Sequence, residues 1–273
     1  DVAVTGVQDV CSSDLPIHLK LALTSYMLSL AVFVPASGWT ADRFGARRVF
    51  MASMAIFLLG SVLCGFSRTL SDLVASRVVQ GMGGAMMITV GRMIIVHSTP
   101  RDRLVHAMVW FGMPALVGPM IGPGLAGILL GFASWPWIFF VNVPIGILGM
   151  FAVSVYVKYR ETFRKNRFDI VGFFLVAVTI AGAMTVAETI GLDLITTAAQ
   201  VAAAAIAVTC AVLYLWHARR AEHPVLDLTL FRYKTFSASM TGGILTRLTM
   251  GATPLMLPLL LQIGLNWTPF HAG

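Results

Sequence analysis

The sequence predicts an all-α polytopic membrane protein, and three observations carry that prediction. The 273 residues are 58% hydrophobic and 11% charged, with a mean hydropathy of +0.84, far from the balance of a soluble domain. The apolar residues gather into stretches of about 20, the length at which a helix crosses a ~30 Å hydrocarbon core. Those stretches are continuously apolar rather than alternating, which excludes barrel strands, and in lipid a helix satisfies its own backbone groups.

The spans expected in chain order are 18–37, 49–66, 72–95, 104–130, 135–157, 170–188, 194–216 and 237–265. They nearly fill the chain and leave no room for a soluble domain. A net charge of +7 would suit nucleic acid if the cations shared one solvated face, but they do not. Most of them lie in alternate loops: Arg43, Arg47 and Arg48; Arg101 and Arg103; Lys158, Arg160, Arg164, Lys165 and Arg167; Arg219, Arg220, Arg232 and Lys234. The opposite loops carry Lys20 and Arg68, and Arg77, Arg92 and Arg247 lie within spans. The positive-inside rule puts the first set in the cytoplasm, so the chain is expected to be multi-pass in the inner (cytoplasmic) membrane. Its basic loops then face anionic lipid, and no nucleic-acid partner is expected.

Cys64 and Cys210 lie in separate spans and Cys11 in a polar leader, so neither a disulfide framework nor a metal cluster is visible. No Ser-His-Asp set or Gly-rich phosphate loop is present in the sequence. The chain therefore does not read as an enzyme, and no cofactor is expected. Residues 1–15, "DVAVTGVQDVCSSDL", have neither the basic flank nor the apolar core of a signal peptide. "VTGVQ" and "DVCSSDL" resemble the translation of a sequencing-library adapter, so this leader is expected to be non-native.

The first span runs into "GWTADRFGARR", which packs one acid, three cations counting those of the next span's start, and two glycines into a short hairpin. Gly38 and Gly45 are expected to serve close packing and a turn with positive φ respectively. The basic loop is at least an orientation anchor, which leaves Asp42 and the glycines unexplained. The third span carries "SRVVQGMGGAMM", with Arg77 and Gln80 one turn apart and Gly81, Gly83 and Gly84 thinning the helix beside them. A charge at that depth faces a cavity or a partner, or Arg77 snorkels outward beside Asp72. Arg92 lies about 22 Å further along the same helix, level with the hairpin. It is either a partner for Asp42 or another snorkelling anchor.

The fourth span, "GMPALVGPMIGPGLAGILLG", mixes helix-kinking prolines with small residues four apart. The fifth opens on "WPWIFFVNVPIG", whose tryptophans suit a membrane interface. In the last span Arg247 is about 15 Å deep, a candidate for a cavity wall or for pairing with a carboxylate. Tyr26, Asn142 and Gln262 are further cavity candidates, unless they only bond a neighbouring helix. Glu188 and Asp193 are expected in a solvated outer loop, and His97, His106, His217 and His223 near the cytoplasmic surface as anchors.

Several of these stretches carry a family resemblance. "GWTADRFGARR" resembles the signature loop between the second and third helices of the major facilitator superfamily, G-x-x-x-D-R-x-G-R-R. It matches at Gly38, Asp42, Arg43, Gly45, Arg47 and Arg48, with Ala46 inserted. The resemblance implies a cytoplasmic gate that helps hold two halves of the protein shut. "SRVVQGMGG" resembles the R-x-x-Q-G motif of proton-coupled members, which associates Arg77, with Gln80 and Gly81, with proton transfer. "GPMIGPGLAG" resembles the fifth-helix antiporter motif G-P-x-x-G-G at Gly118, Pro119, Gly122, Pro123 and Gly127, with Pro123 in place of one glycine. "WPWIFFVNVPIG" resembles the sixth helix of the fourteen-helix drug:proton antiporter branch, with Pro136 where arginine is usual. "HPVLDLTLFRYKTF" resembles the segment that leads into the second half.

This resemblance implies helices two to nine of a major facilitator fold. Residues 16–168 would be a six-helix half lacking its first helix, 169–218 two extra helices, and 219–273 the start of the second half. It further implies proton-coupled export of small amphipathic compounds or drugs by alternating access. The proton gradient is the energy source, and protons, a small-molecule substrate, membrane lipids and a periplasmic adaptor protein are the partners. The alternatives are a nutrient facilitator or symporter of the same superfamily, or a non-transporting receptor or structural protein. No visible span carries a deep Asp or Glu, and the resemblance places that acid on the first helix.

Overall fold

The computed structural model describes residues 15–114, 117–118, 121, 134–157, 167–189 and 196–246. Eight α-helices lead in chain order: α1 (Leu15–Phe44), α2 (Ala46–Phe66), α3 (Leu70–Ser98), α4 (Leu104–Pro114), α5 (Trp137–Phe140), α6 (Asn142–Tyr156), α7 (Ile170–Thr189) and α8 (Thr197–Ala218). A 3₁₀ turn (Leu228–Arg232) and α9 (234–246) follow. No strand occurs among the described residues. Six of the predicted spans appear as helices long and apolar enough to cross a membrane, with α5 and α6 together forming one of them. The other two, 104–130 and 237–265, are described only in part, through α4 and α9.

The expected hairpin is tighter than predicted. α1 continues through Gly38, Asp42 and Arg43 to Phe44, and the whole reversal is made at Gly45, at φ 91°. Its N–H closes α1 by donating to the Ala41 carbonyl (2.9 Å), and its carbonyl accepts from the Val49 N–H (3.0 Å) to open α2. Only glycine adopts that φ without steric cost. At the opposite end of α2, Thr69 and Asp72 form a reciprocal capping box, both bonds 3.1 Å, and launch α3. The break between α5 and α6 falls at Val141, three residues before Pro144. A proline ring has no N–H to donate and crowds the carbonyl four residues back.

Glycines decide how closely the helices approach. A Cβ on Gly60 of α2 would lie 2.6 Å from the Gln80 backbone of α3, and one on Gly83 would lie 2.5 Å from the Phe57 nitrogen of α2. On another face of α3, a Cβ on Gly81 would lie 2.7 Å from Ser29 and from the Tyr26 carbonyl of α1. The glycine run thus wedges α3 between α1 and α2. No described residue lies within 4 Å of the Cβ position of Gly38, so the close packing expected of it is not seen among the described residues.

α7 and α8 form an antiparallel hairpin with polar clasps at both ends. At the end nearer Gly45, Asp169 caps α7 through the Gly172 N–H (2.8 Å), and the same oxygen meets His217 Nε2 of α8 at 2.8 Å. At the other end, Gln200 donates to the Thr189 carbonyl (2.8 Å), while Gly182 lets Ala207 approach mid-way. The hairpin rests on α1 through Trp39 on Phe168 (ring centroids 4.7 Å) and Phe33 on Phe173 (6.1 Å). Thr24 donates to Glu188 at 2.5 Å. Glu188 is therefore the penultimate residue of a helix, bonded across to α1, and not a solvated loop acid as expected.

Two compact units divide the chain, Asp1–Val225 and Leu226–Gly273. In the second, Asp227 accepts from the Thr229 hydroxyl (2.6 Å) and N–H (2.9 Å). These bonds, the hydroxyl's first, hold its carboxyl below the usual carboxylate range.

Candidate functional site

A polar chain lies inside the bundle where α2, α3 and α6 meet near the Thr69 end. Arg77 Nη1 donates to Gln80 Oε1 at 2.9 Å, and Gln80 Nε2 donates to Ser61 Oγ at 2.7 Å. Asn142 Nδ2 reaches the same Ser61 oxygen from α6 at 3.3 Å. Cys64, one turn beyond Ser61, lies 4.0 Å from Gln80 Oε1. The Arg77 guanidinium sits over the Phe139 ring at 4.7 Å and near the Tyr26 ring at 5.7 Å. Its charge is thus held by aromatic faces and one amide oxygen.

This geometry separates the two readings of Arg77. The side chain is half-buried and turned toward Gln80, one turn further into the bundle, while Asp72 is engaged with Thr69. A snorkelling arginine would point the other way. Its Nε is buried and has no hydrogen-bond partner among the described residues. A buried donor without an acceptor costs free energy.

The structure brings together Arg77, Gln80, Gly81, Tyr26 and Asn142. Sequence reasoning missed three of their neighbours: Ser61, Cys64 and Phe139. The available signal was the spacing of Gly60, Ser61, Cys64 and Gly65, small residues on one side of an otherwise bulky span. That pattern marks where another helix approaches but not which polar groups it brings.

The residues of the gate motif lie at the other end of the bundle. Arg47 donates from Nη2 to the Ser154 carbonyl at 2.6 Å, placing a cation on the last turn of α6, where carbonyls point outward. Asp42 is half-buried, while Arg43, Arg48 and Gly38 are exposed. The expected Asp42–Arg92 ion pair is absent among the described residues; Arg92 is exposed and lies 5.9 Å from the Phe111 ring of α4. Of the antiporter motif, Gly118 is described, with no other described residue within 4 Å of its Cβ position. Pro119, Gly122, Pro123 and Gly127 lie outside the described residues, as do Arg247 and Gln262.

Six helices long and apolar enough to cross a membrane, with a half-buried arginine on a polar chain inside the bundle, define a multi-pass membrane protein. The chain belongs to the Major Facilitator Superfamily, whose sequence profile matches residues 15–273. It is a family of transporters, not of enzymes. Among its relatives is a protein of Pectobacterium carotovorum subsp. carotovorum named "Putative multidrug resistance protein MdtD", 44% identical over 261 residues. Proteins of the same name from Cronobacter sakazakii and Escherichia coli K12 are 44% and 42% identical. Each alignment covers 94% of this chain and 55% of the relative. The chain thus spans about half the length of the curated relatives it matches.

Proposed function

We propose that the chain belongs to a proton-coupled exporter of small amphipathic compounds that works by alternating access in the cytoplasmic membrane. The observation that carries the reading is Arg77. A charge inside the bilayer costs at least about 2.5–3.5 kcal/mol on insertion scales, and here it is retained on a helix thinned by glycines. It is held on Gln80, and its buried Nε has no hydrogen-bond partner among the described residues. Such a cation can attract a membrane carboxylate when that group is ionised and release it when it is protonated, so proton binding biases one conformation over the other. The names of the relatives support drugs as the substrate class, and the antiporter-like "GPMIGPGLAG" supports export.

The Gly45 reversal is the proposed cytoplasmic gate. Arg47 ties it to the last turn of α6, and Asp42 and Arg43 are the groups proposed to change contacts between states. Protons, anionic lipid and a periplasmic adaptor are the proposed partners. Export is tested in cells lacking their own efflux pumps, expressing a polypeptide of the relatives' full length. Dye efflux should stop on addition of a protonophore, and Arg77→Ala should lower it at least tenfold with expression unchanged. Inward accumulation, or efflux indifferent to the protonophore, would instead favour a nutrient symporter or facilitator.

A further inference from the structure

We infer that Ser61 is a positioning residue, the hub through which α2 orients Arg77 and ties its state to α6. A guanidinium only donates, so Arg77 fixes Gln80 with Oε1 toward it and Nε2 turned away. That amide N–H must then find an acceptor, and it finds Ser61 Oγ at 2.7 Å. Asn142 Nδ2 donates to the same oxygen. Ser61 therefore uses both acceptor positions of its hydroxyl, one for α3 and one for α6.

Burial makes the hub hard to replace. Ser61 is 0% exposed and Gln80 is 2% exposed, so water does not reach either side chain to stand in for a lost partner. Gly60 sets the spacing of the two helices at this point. With the Gln80 backbone 2.6 Å from its Cβ position, the two helices touch one residue away from Ser61, which fixes the register of the Gln80–Ser61 bond. The result is one directed path, Arg77 to Gln80 to Ser61, met by Asn142 from the opposite side. A displacement of α6 that withdraws Asn142 leaves Ser61 with one donor, and a rotation of Gln80 releases Arg77. The hub thereby couples the arginine to the helix whose last turn is held by Arg47.

The inference rests on the proposed proton-coupled export, and its test separates the two. The full-length transporter, with Cys210 and every other cysteine except Cys64 replaced by serine so that Cys64 reports alone, is compared with the same protein carrying Ser61→Ala or Ser61→Thr. All are checked for folding by fluorescence-detected size exclusion. Cys64 is fully buried beside Gln80, so its alkylation by N-ethylmaleimide reads the hub without any transport assay. The expected result is Cys64 alkylation at least tenfold faster in Ser61→Ala. The export pH profile should also be displaced and the maximal rate should fall about tenfold, the effect of one lost buried hydrogen bond. Ser61→Thr, which keeps the oxygen, should restore both. Unchanged alkylation and an unchanged pH profile in Ser61→Ala would overturn the inference, as would Ser61→Thr matching Ser61→Ala in a folded protein. If export by the parent is indifferent to proton gradients, the export reading fails by itself and the Cys64 rate alone decides the hub.

Discussion

Gly38 and Gly60 are the same residue type on adjacent helices, yet the structure gives them opposite tolerances. Among the described residues, space at Gly38 is open and its backbone is helical, so Gly38→Ala should leave thermal stability in detergent within about 0.5 kcal/mol of the parent. A methyl at Gly60 or Gly83 meets backbone atoms that cannot rotate away. Gly60→Ala and Gly83→Ala should each cost about 1–3 kcal/mol by overpacking, read as a lowered melting temperature. Asp42 and Arg92 make a third case. Because no ion pair joins them here, a double-mutant cycle of Asp42→Ala with Arg92→Ala should be additive to within about 0.5 kcal/mol. A larger coupling energy would mean that the two meet in another conformation. The sequence pointed to Arg77 because charge inside an apolar run is conspicuous. It was silent on Ser61, because a serine in a span is ordinary until the fold sets Gln80 and Asn142 against it.

The α7–α8 hairpin shows what element boundaries conceal. Apolar length alone located both helices, and the predicted ends agree with the observed ones to within a few residues. What joins them was not legible: Asp169 and His217 stand 48 positions apart, and only the antiparallel return of α8 brings them to 2.8 Å. Each also sits where its helix favours it, an acid at the start of α7 and a basic side chain in the last turn of α8. His217→Leu would leave the Asp169 carboxyl, 9% exposed, with the Gly172 N–H as its remaining partner among those described. That change should destabilise the hairpin by about 1–3 kcal/mol. Faster hydrogen exchange across 170–189 and 197–218, with exchange in α2 and α3 unchanged, would report it. Glu188 was misjudged for a related reason: an acid at the very end of a span reads as solvated until the fold sets Thr24 of α1 against it.

At the scale of the whole molecule, composition and span length predicted the all-helical membrane fold, and the superfamily profile agrees over residues 15–273. The reversal at Gly45 was anticipated as a position with positive φ, while its compression to a single residue was not. Helices α1 and α2 extend beyond the apolar stretches because charged side chains at a membrane surface remain good helix formers. The central claim is that substrate leaves against protons. It is tested most directly in everted membrane vesicles containing the full-length transporter, energised to an acidic interior, by recording proton movement as a drug is added. The account predicts that each drug addition releases protons from the vesicle lumen at a rate set by drug concentration, and that Arg77→Ala abolishes the release. Drug uptake into those vesicles with no accompanying proton release would contradict it.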